Sequence, residues 1–163
     1  MSRNSAVEVR DALITDVDDI LALIGELADY EKLRHQVTGS RDDLARHLFG
    51  AEPYARALVA VIDGQTTGFA LYFFNYSTFL CKPGLYLEDL YVRPAWRRHG
   101  VGSRLLAALA QRAVSRDCGR MEWAVLDWNK PAIDFYLGLG ALPQDEWTTY
   151  RLTGDALTRL ARD

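Results

Sequence analysis

Residues 97–106 read RRHGVGSRLL, in which two arginines come before two glycines and the start of a helical pattern. Glycine destabilises a helix by roughly 1 kcal/mol relative to alanine, so Gly100 and Gly102 at a helix start need a reason. The bare N–H groups of a first helical turn, the helix dipole and two arginines together favour binding of an anion such as a diphosphate. A flexible loop with surface arginines is the alternative, and spacing alone leaves both open.

Two known nucleotide-binding motifs do not fit this segment. The dinucleotide motif G-x-G-x-x-G needs a third glycine where the chain has Leu105. That motif also follows its strand directly, whereas seven residues separate Val92 from Gly100. The phosphate-loop motif G-x-x-x-x-G-K-[ST] does not occur in the sequence. Neither class of nucleotide site is therefore predicted.

A second group that could do chemistry is Glu88, which lies with Asp89 inside the apolar run LYLEDLYV at 85–92. Burial in a strand would raise the pKa of Glu88 into a range that is useful for a general base. Side chains alternate along a strand, so the two carboxylates are expected on opposite faces, and one of them can simply face solvent. Glu88 is our candidate for a base or for the anchor of an amine.

Other chemistries find no support in the sequence. His35, His47 and His99 are scattered and form no H-E-x-x-H motif, so no metal site is predicted. Cys81 and Cys118 lack a metal-type spacing and are expected to be free thiols. No G-x-S-x-G motif of a serine hydrolase is present.

The overall composition is that of an ordinary globular chain. Its net charge of −3 argues against a nucleic-acid binder, which normally presents a basic face. No apolar segment reaches the roughly 18 residues of a membrane span, and the first residues lack the apolar core of a signal peptide. We therefore expect a cytoplasmic protein that binds neither nucleic acid nor a membrane.

Periodicity predicts the element order β, α, α, a β meander, α, β, α, β. A capping box of Thr15 and Asp18 is expected to start the first helix, and Ser40 with Asp43 to start the second. Asp63-Gly64 predicts a hairpin turn. The remaining predictions are strands at 7–12, 85–92, 121–126 and 148–152 and helices up to Tyr30 and over 103–116 and 129–137. This order predicts one mixed α/β domain over residues 1–163, with a twisted sheet of about six to seven strands and helices on both faces.

The motif R-x-x-G-x-G, after V-R-P and before a leucine-rich helix, resembles the acetyl-coenzyme A motif of the GNAT superfamily of N-acyltransferases. The segment WNKPAIDFYLGLGA resembles the family's following segment, where an asparagine-proline pair opens a helix that bears a tyrosine. With LADYEKL and YLEDLYV, the resemblance covers about residues 7–160. Within the superfamily the chain resembles the diamine acetyltransferases, which are spermidine/spermine acetyltransferase and its thialysine-acetylating relatives. The resemblance implies acetyl-coenzyme A as co-substrate, the primary amine of a polyamine, thialysine or lysine-like molecule as acceptor, and a homodimer.

The resemblance also implies cofactor contacts. The pyrophosphate would lie on the loop amides, the pantetheine arm would pair with strand backbone, and a helix start would line the cofactor's other side. The loop for the pyrophosphate consists of Arg97, Arg98, His99, Gly100, Val101, Gly102 and Ser103. The strand backbone for the pantetheine arm is that of Leu90, Tyr91 and Val92. The helix start on the other side consists of Asn129, Lys130, Pro131 and Ala132. The family often has an acidic residue where Lys130 stands, which puts a contact by that side chain in doubt.

Tyr136 takes the position of the family's tyrosine that protonates the sulfur of coenzyme A. From the residues alone, Tyr136 is equally an amphipathic side chain that packs beside Ile133. Candidate contacts to the substrate are Tyr30, Glu31, Glu88, Glu122 and Trp123. Further acidic residues expected around a cationic chain are Asp29, Asp127, Asp145 and Glu146.

Two alternatives stay open. The acceptor could be a lysine or N-terminus of a protein, and the chain could be an acetyl-coenzyme A sensor without catalysis. The aromatic run LYFFNY and the tail TTYRL offer apolar surface for a dimer, or they fill the core of the monomer. The sequence does not distinguish which amine is acetylated, or whether Glu88 acts directly or through water.

Overall fold

Five β-strands lie side by side in chain order, with β1 to β4 antiparallel and β4 parallel to β5. They are β1 (Glu8–Asp11), β2 (Arg56–Ile62), β3 (Gln65–Ser77), β4 (Lys82–Val92) and β5 (Arg120–Trp123). The computed structural model describes residues 6–162, so residues 1–5 and 163 of the predicted domain lie outside it. The mixed sheet is confirmed, whereas six to seven strands are not, because the described residues form five.

Five α-helices accompany the sheet: α1 (Val17–Tyr30), α2 (Arg41–Phe49), α3 (Val101–Ser115), α4 (Lys130–Gly138) and α5 (Gly154–Leu160). Contacts within the chain group into two compact units, one ending at Ala124 and one beginning at Val125. The first unit holds the whole sheet with α1 to α3, and the second holds α4 and α5. No helix in the described part of the chain is long and apolar enough to span a membrane.

The predicted hairpin between β2 and β3 is confirmed. Asp63 and Gly64 both have positive φ, at 50° and 77°, as the two-residue turn that matches strand twist requires. Ile62 and Gln65 then pair directly across the turn. The Asp63-Gly64 pair therefore sets the register from which β3 runs on to the site.

The two predicted helix starts differ in outcome. Ser40 caps α2 as expected, because its Oγ accepts a hydrogen bond from the backbone N–H of Asp43 at 3.1 Å. The predicted capping box of Thr15 and Asp18 is wrong. α1 instead follows a short 3₁₀ turn, in which Asp16 accepts from the N–H of Leu13 at 2.7 Å and pairs with Arg10 at 2.7 Å. A local cap by Asp16, held by its ion pair with Arg10, thus forms in place of the predicted one.

The two faces of the sheet carry different helices. α1 and α2 bury Ile20, Leu23 and Leu48 against Val59 and Phe69. Strand alternation places the next residues on the opposite face, and α3 lies there. Contacts that locate α3 are the approach of Val101 to Gly68 and the hydrogen bond from Arg112 to the Tyr72 hydroxyl.

The predicted last strand at 148–152 is wrong. This segment forms no strand among the described residues, and α5, which periodicity did not predict, follows it. The sequence TTYRL favours an extended backbone, but a strand is stable only when a neighbour pairs with it. Local preference alone therefore overestimated the size of the sheet.

Candidate active site

The edge of β4 is open where β5 ends. β5 pairs with β4 only from Gly84 to Leu87, whereas β4 continues to Val92 and stays paired with β3 to its end. On the side of β5, residues 88–92 therefore have no strand partner in the described structure. An exposed strand edge of this length presents backbone groups that an extended ligand can pair with.

Backbone alternation decides which groups point toward this open edge. The N–H of Arg93 donates to the carbonyl of Thr67 in β3 at 2.9 Å, so Tyr91, two residues earlier, also directs its backbone toward β3. Leu90 and Val92 therefore direct theirs toward the open edge. Of the three residues predicted to pair with pantetheine, these two have suitable backbone directions and Tyr91 does not.

A β-bulge interrupts β4 at Glu88. Leu71 pairs with Asp89 and Tyr72 pairs with Leu87, which leaves Glu88 as the extra residue. The bulge shifts the expected alternation, so that Asp89 lies with Leu71 on the face of the sheet that α1 covers. The predicted burial of Glu88 is wrong, since its side chain is exposed, and Asp89 is the more buried carboxylate.

Burial, followed by the nearby charges of Glu88 and Glu31, raises the pKa of Asp89 to about 6. Burial also raises the pKa of Glu31 at the end of α1. The pKa of the Tyr86 hydroxyl is raised by burial, then by Glu88 and Glu122. We call Glu31, Glu88, Asp89 and Glu122 the acidic cluster. The charges of Glu88 and Glu31 act on Asp89, and those of Glu88 and Glu122 act on Tyr86. A cation placed near these carboxylates would therefore be attracted.

The sheet separates two residues that were predicted to contact substrate together. Glu122 pairs with Tyr86 and belongs to the acidic cluster. Trp123 pairs with Leu87 instead and lies on the opposite face of β5. Glu122 also forms an ion pair with Arg120 at 2.8 Å. The positions favour Glu122 over Trp123 as part of an acidic substrate site.

The start of α3 fits the predicted anion loop. Gly100 precedes the helix with φ of 75°, a conformation that side chains with a Cβ rarely adopt, and no side chain caps the helix among the described residues. A Cβ on Gly102 would meet Val92 and Leu90 only at ordinary contact distances of 3.8 and 3.9 Å. Packing within the protein therefore does not demand glycine at 102, whereas close approach of a ligand to the backbone would.

The two loop arginines differ in their surroundings. Arg98 is exposed and has φ of 64°. Arg97 donates through Nε to the carbonyl of Val92 at 3.0 Å, and its guanidinium lies over two tyrosine rings. The ring of His99 contacts the carbonyl of Arg97 through Nδ1 at 2.9 Å. Arg98 and the amides of residues 101–103 thus remain the groups most suited to a phosphate.

In the second unit, α4 begins as the sequence predicts. The Asn129 side chain accepts from the N–H of Ala132 at 3.4 Å, and Pro131 lies in the first turn. Lys130 pairs with Asp134 at 2.8 Å, so its charge is already compensated within the helix. Tyr136 follows Ala132 by four residues and therefore lies on the same helix face.

Comparison with known proteins decides the family. The family model described as Acetyltransferase (GNAT) family matches residues 23–141. This chain belongs to the GNAT acetyltransferase family. Its membership implies acetyl-coenzyme A as co-substrate, and the loop at 97–103 with the open edge of β4 offers the donors that such a molecule needs. Within residues 6–162, no group of three or more side chains is arranged to hold a metal ion.

The sequence is similar to those of individual acetyltransferases over most of their length. The chain is 41% identical to a thialysine N-epsilon-acetyltransferase of Bos taurus, covering 95% of this chain and 97% of the relative. It is 34% identical to an L-ornithine N5-acetyltransferase of Arabidopsis thaliana, covering 91% and 85%. The solved structure of an integron cassette protein from the mobile metagenome of V. cholerae has a TM-score of 0.80 and 28% identity, covering 96% and 98%.

Asp89 is the candidate site residue that the sequence analysis did not single out. Simple alternation treated Glu88 and Asp89 as an inward and an outward residue. The bulge changes that assignment, and it depends on pairing with β3. Two adjacent carboxylates inside an apolar strand were the available signal, because an extra residue in a strand changes which of its side chains faces the core.

Replacing Asp89 should show how much its buried carboxylate destabilises the folded protein. The fold raises the pKa of Asp89 from 3.8 to about 6, so the folded state holds a proton that the unfolded chain releases. The free energy of unfolding should therefore fall as pH rises from about 4 to 6. We expect Asp89→Asn to raise it by about 1–3 kcal/mol at pH 7.5 and by little at pH 4. Urea denaturation at the two pH values measures the difference.

Glu88→Gln is the matched control, since it removes the neighbouring carboxylate at an exposed position. It should change stability much less than Asp89→Asn at pH 7.5. An asparagine variant no more stable than the wild type at pH 7.5 would mean that the Asp89 carboxylate is not destabilised by its surroundings.

Proposed function

We propose that this protein transfers the acetyl group of acetyl-coenzyme A to a primary amine of a small, cationic substrate such as a polyamine, thialysine or a lysine-like amine. The observation that carries the proposal is the acidic cluster, which meets the open edge of β4 at the bulge. The printed names of the two relatives, with acetylation at N-epsilon of thialysine and at N5 of ornithine, support an amine of this class.

The coenzyme would be held by backbone more than by side chains. The amides of residues 101–103 and the charge of Arg98 would bind the pyrophosphate, and Leu90 and Val92 would pair with the pantetheine arm. The Val92 carbonyl already accepts from Arg97, so its N–H is the group left for pairing. Asn129, Pro131 and Ala132 at the start of α4 would line the other side of the coenzyme.

The reaction needs a neutral amine, and the acidic cluster supplies a proton acceptor. A lysine-like amine has a pKa near 10.4, so deprotonation at pH 7 costs about 4.6 kcal/mol. We keep Glu88 as the base, acting directly or through water, because it is the accessible carboxylate at the bulge. Asp89 and Glu31 would hold the ammonium form near it. As the new C–N bond forms, the amine's proton passes to the carboxylate.

The second proton transfer would use Tyr136. When the C–S bond of the thioester breaks, the thiolate of coenzyme A needs a proton, which the Tyr136 hydroxyl would give. A phenol of pKa near 10 can protonate a thiolate of pKa near 8.5 while the charge on sulfur is still developing. The resemblance of the α4 segment to the family's tyrosine-bearing helix supports this role.

An amine panel tests the function itself. We expect thiol release from acetyl-coenzyme A with thialysine, lysine, ornithine or spermidine, and a much lower kcat/KM with a peptide that carries the same amine. An acidic cluster favours binding of a compact cation. A protein that only senses the coenzyme has no need of such a cluster. Tight binding of acetyl-coenzyme A without turnover on any amine would favour the sensor. Preference for the peptide would favour a protein acceptor.

Tyr136→Phe tests the proposed acid. It removes one hydroxyl and keeps the ring, so stability should change little. We expect kcat to fall about 10²- to 10⁴-fold, with a far smaller change in the KM for acetyl-coenzyme A. Tyr54→Phe is the control, because it removes the hydroxyl of a tyrosine that is 77% exposed. Near-normal kcat in Tyr136→Phe would show that water or another group protonates the sulfur.

We also propose a homodimer, with a surface that differs in part from the one expected. Tyr72 of the LYFFNY run is fully buried in the first unit, so this part of the run fills the core. Tyr76 at the end of that run is exposed, and so are Phe79 and Leu80 in the turn that follows, with Phe79 97% exposed. In the TTYRL tail, Tyr150 is 92% exposed. Sedimentation at micromolar concentration should give a species of twice 18.4 kDa. A single species of 18.4 kDa would contradict the dimer.

A cytoplasmic location is proposed on the same grounds as before. Cys81 and Cys118 are free in the structure, which is compatible with a reducing compartment. The absence of nucleic-acid and membrane partners stays a prediction from net charge and hydropathy.

A further inference from the structure

Arg97 opens the R-x-x-G-x-G motif, yet its side chain contacts the opposite part of the proposed site. Its Nε donates to the Val92 carbonyl at 3.0 Å, which fixes the guanidinium at the end of β4. The guanidinium carbon lies 5.3 Å from the centre of the Tyr30 ring and 5.5 Å from that of the Tyr91 ring. Both distances are within the range of a cation–π interaction.

The two rings differ in burial. Tyr91 is 7% exposed and belongs to the core between α1 and the sheet, so its ring is a fixed platform. Tyr30 is 41% exposed at the last position of α1, directly before Glu31 of the acidic cluster. Arg97 therefore joins a fixed ring to a half-exposed one at the edge of the amine site.

Arg97 is not needed to dock α1 on the sheet. Glu26 of α1 pairs with Arg93 at 3.1 Å, and Asp19 accepts from the Thr66 hydroxyl at 2.8 Å. The buried leucines and isoleucine of α1 add the apolar contacts. Loss of the Arg97 contacts should therefore leave the helix in place and change mainly the orientation of the Tyr30 ring.

We infer that Arg97 is a positioning residue for the amine site, which orients Tyr30 beside the acidic cluster, rather than a contact to the phosphates of the coenzyme. The inference rests on the proposed function in placing the amine beside Tyr30. An oriented ring face would add a cation–π contact to an ammonium group that the carboxylates attract. The first arginine of the cofactor motif would thereby serve the acceptor, and the second, Arg98, the cofactor.

Arg97→Lys separates the two roles. Lysine keeps the positive charge that a phosphate contact uses, but it lacks the planar group that stacks on rings while donating through Nε. We expect the KM for the amine to rise about five- to thirty-fold, corresponding to one cation–π contact. kcat and the KM for acetyl-coenzyme A should each change less than about threefold. Arg98→Gln should show the reverse pattern, with a raised KM for acetyl-coenzyme A.

A double-mutant cycle tests whether Arg97 acts through Tyr30. Tyr30→Leu should raise the KM for the amine, and adding Arg97→Lys to it should raise that KM no further. Additive effects of the two substitutions would overturn the inference. So would an Arg97→Lys enzyme with a raised KM for acetyl-coenzyme A and an unchanged KM for the amine.

A readout without activity keeps this inference separate from the proposed function. In protein labelled at its tyrosine rings, with Tyr30→Phe used for assignment, Arg97→Lys should shift the NMR signal of Tyr30 in the ligand-free state. Arg98→Gln should leave that signal unchanged. An unshifted Tyr30 signal would overturn the inference even if amines are acetylated. A shifted signal with no turnover on any amine would leave the contact standing and refute the proposed function.

Discussion

The unequal lengths of β4 and β5 are the constraint on which the candidate site depends. A strand in a sheet normally satisfies its backbone groups on both edges, and β4 does so only as far as Leu87. Beyond that point one edge keeps its hydrogen-bonding capacity for something other than a strand. The bulge at Glu88 lies at the same point, so the chain changes the direction of its side chains where its second neighbour is lost. The open edge of β4 and the placement of Asp89 beside Glu88 therefore arise from one local departure from regular pairing.

The acidic cluster is held in place at a cost to the fold. Burial gives the Asp89 carboxylate a desolvation penalty, and the charges of Glu88 and Glu31 add repulsion. The rest of the first unit compensates with an apolar core between α1 and the sheet and with paired charges elsewhere, such as Arg10 with Asp16. A cationic substrate relieves the repulsion, so part of its binding free energy comes from strain already present in the free protein.

Local signals predicted a large part of the fold. The Asp63-Gly64 turn and the Ser40 cap are decided by residues close in sequence, and both formed as expected. The predictions that were wrong depended on distant partners. The start of α1 is set by Arg10 on β1, and the segment at 148–152 remained without a neighbour strand. The anion loop could be located from its glycines, but the exchange of roles between Glu88 and Asp89 could not, because a bulge exists only relative to the strand opposite it.

The short strand β5 has a further consequence for the length of the open edge of β4. Gly84 pairs with Arg120 across 36 positions of chain, and closing a loop of that length costs more entropy than closing the hairpins of the meander. β5 also has four paired residues and a neighbour on one side only in the described sheet. The free energy that holds β5 is therefore small compared with that of β2 or β3. Fraying of β5 would extend the open edge of β4 toward Gly84 without disturbing the antiparallel strands, so this short strand controls how long a ligand the edge can accept.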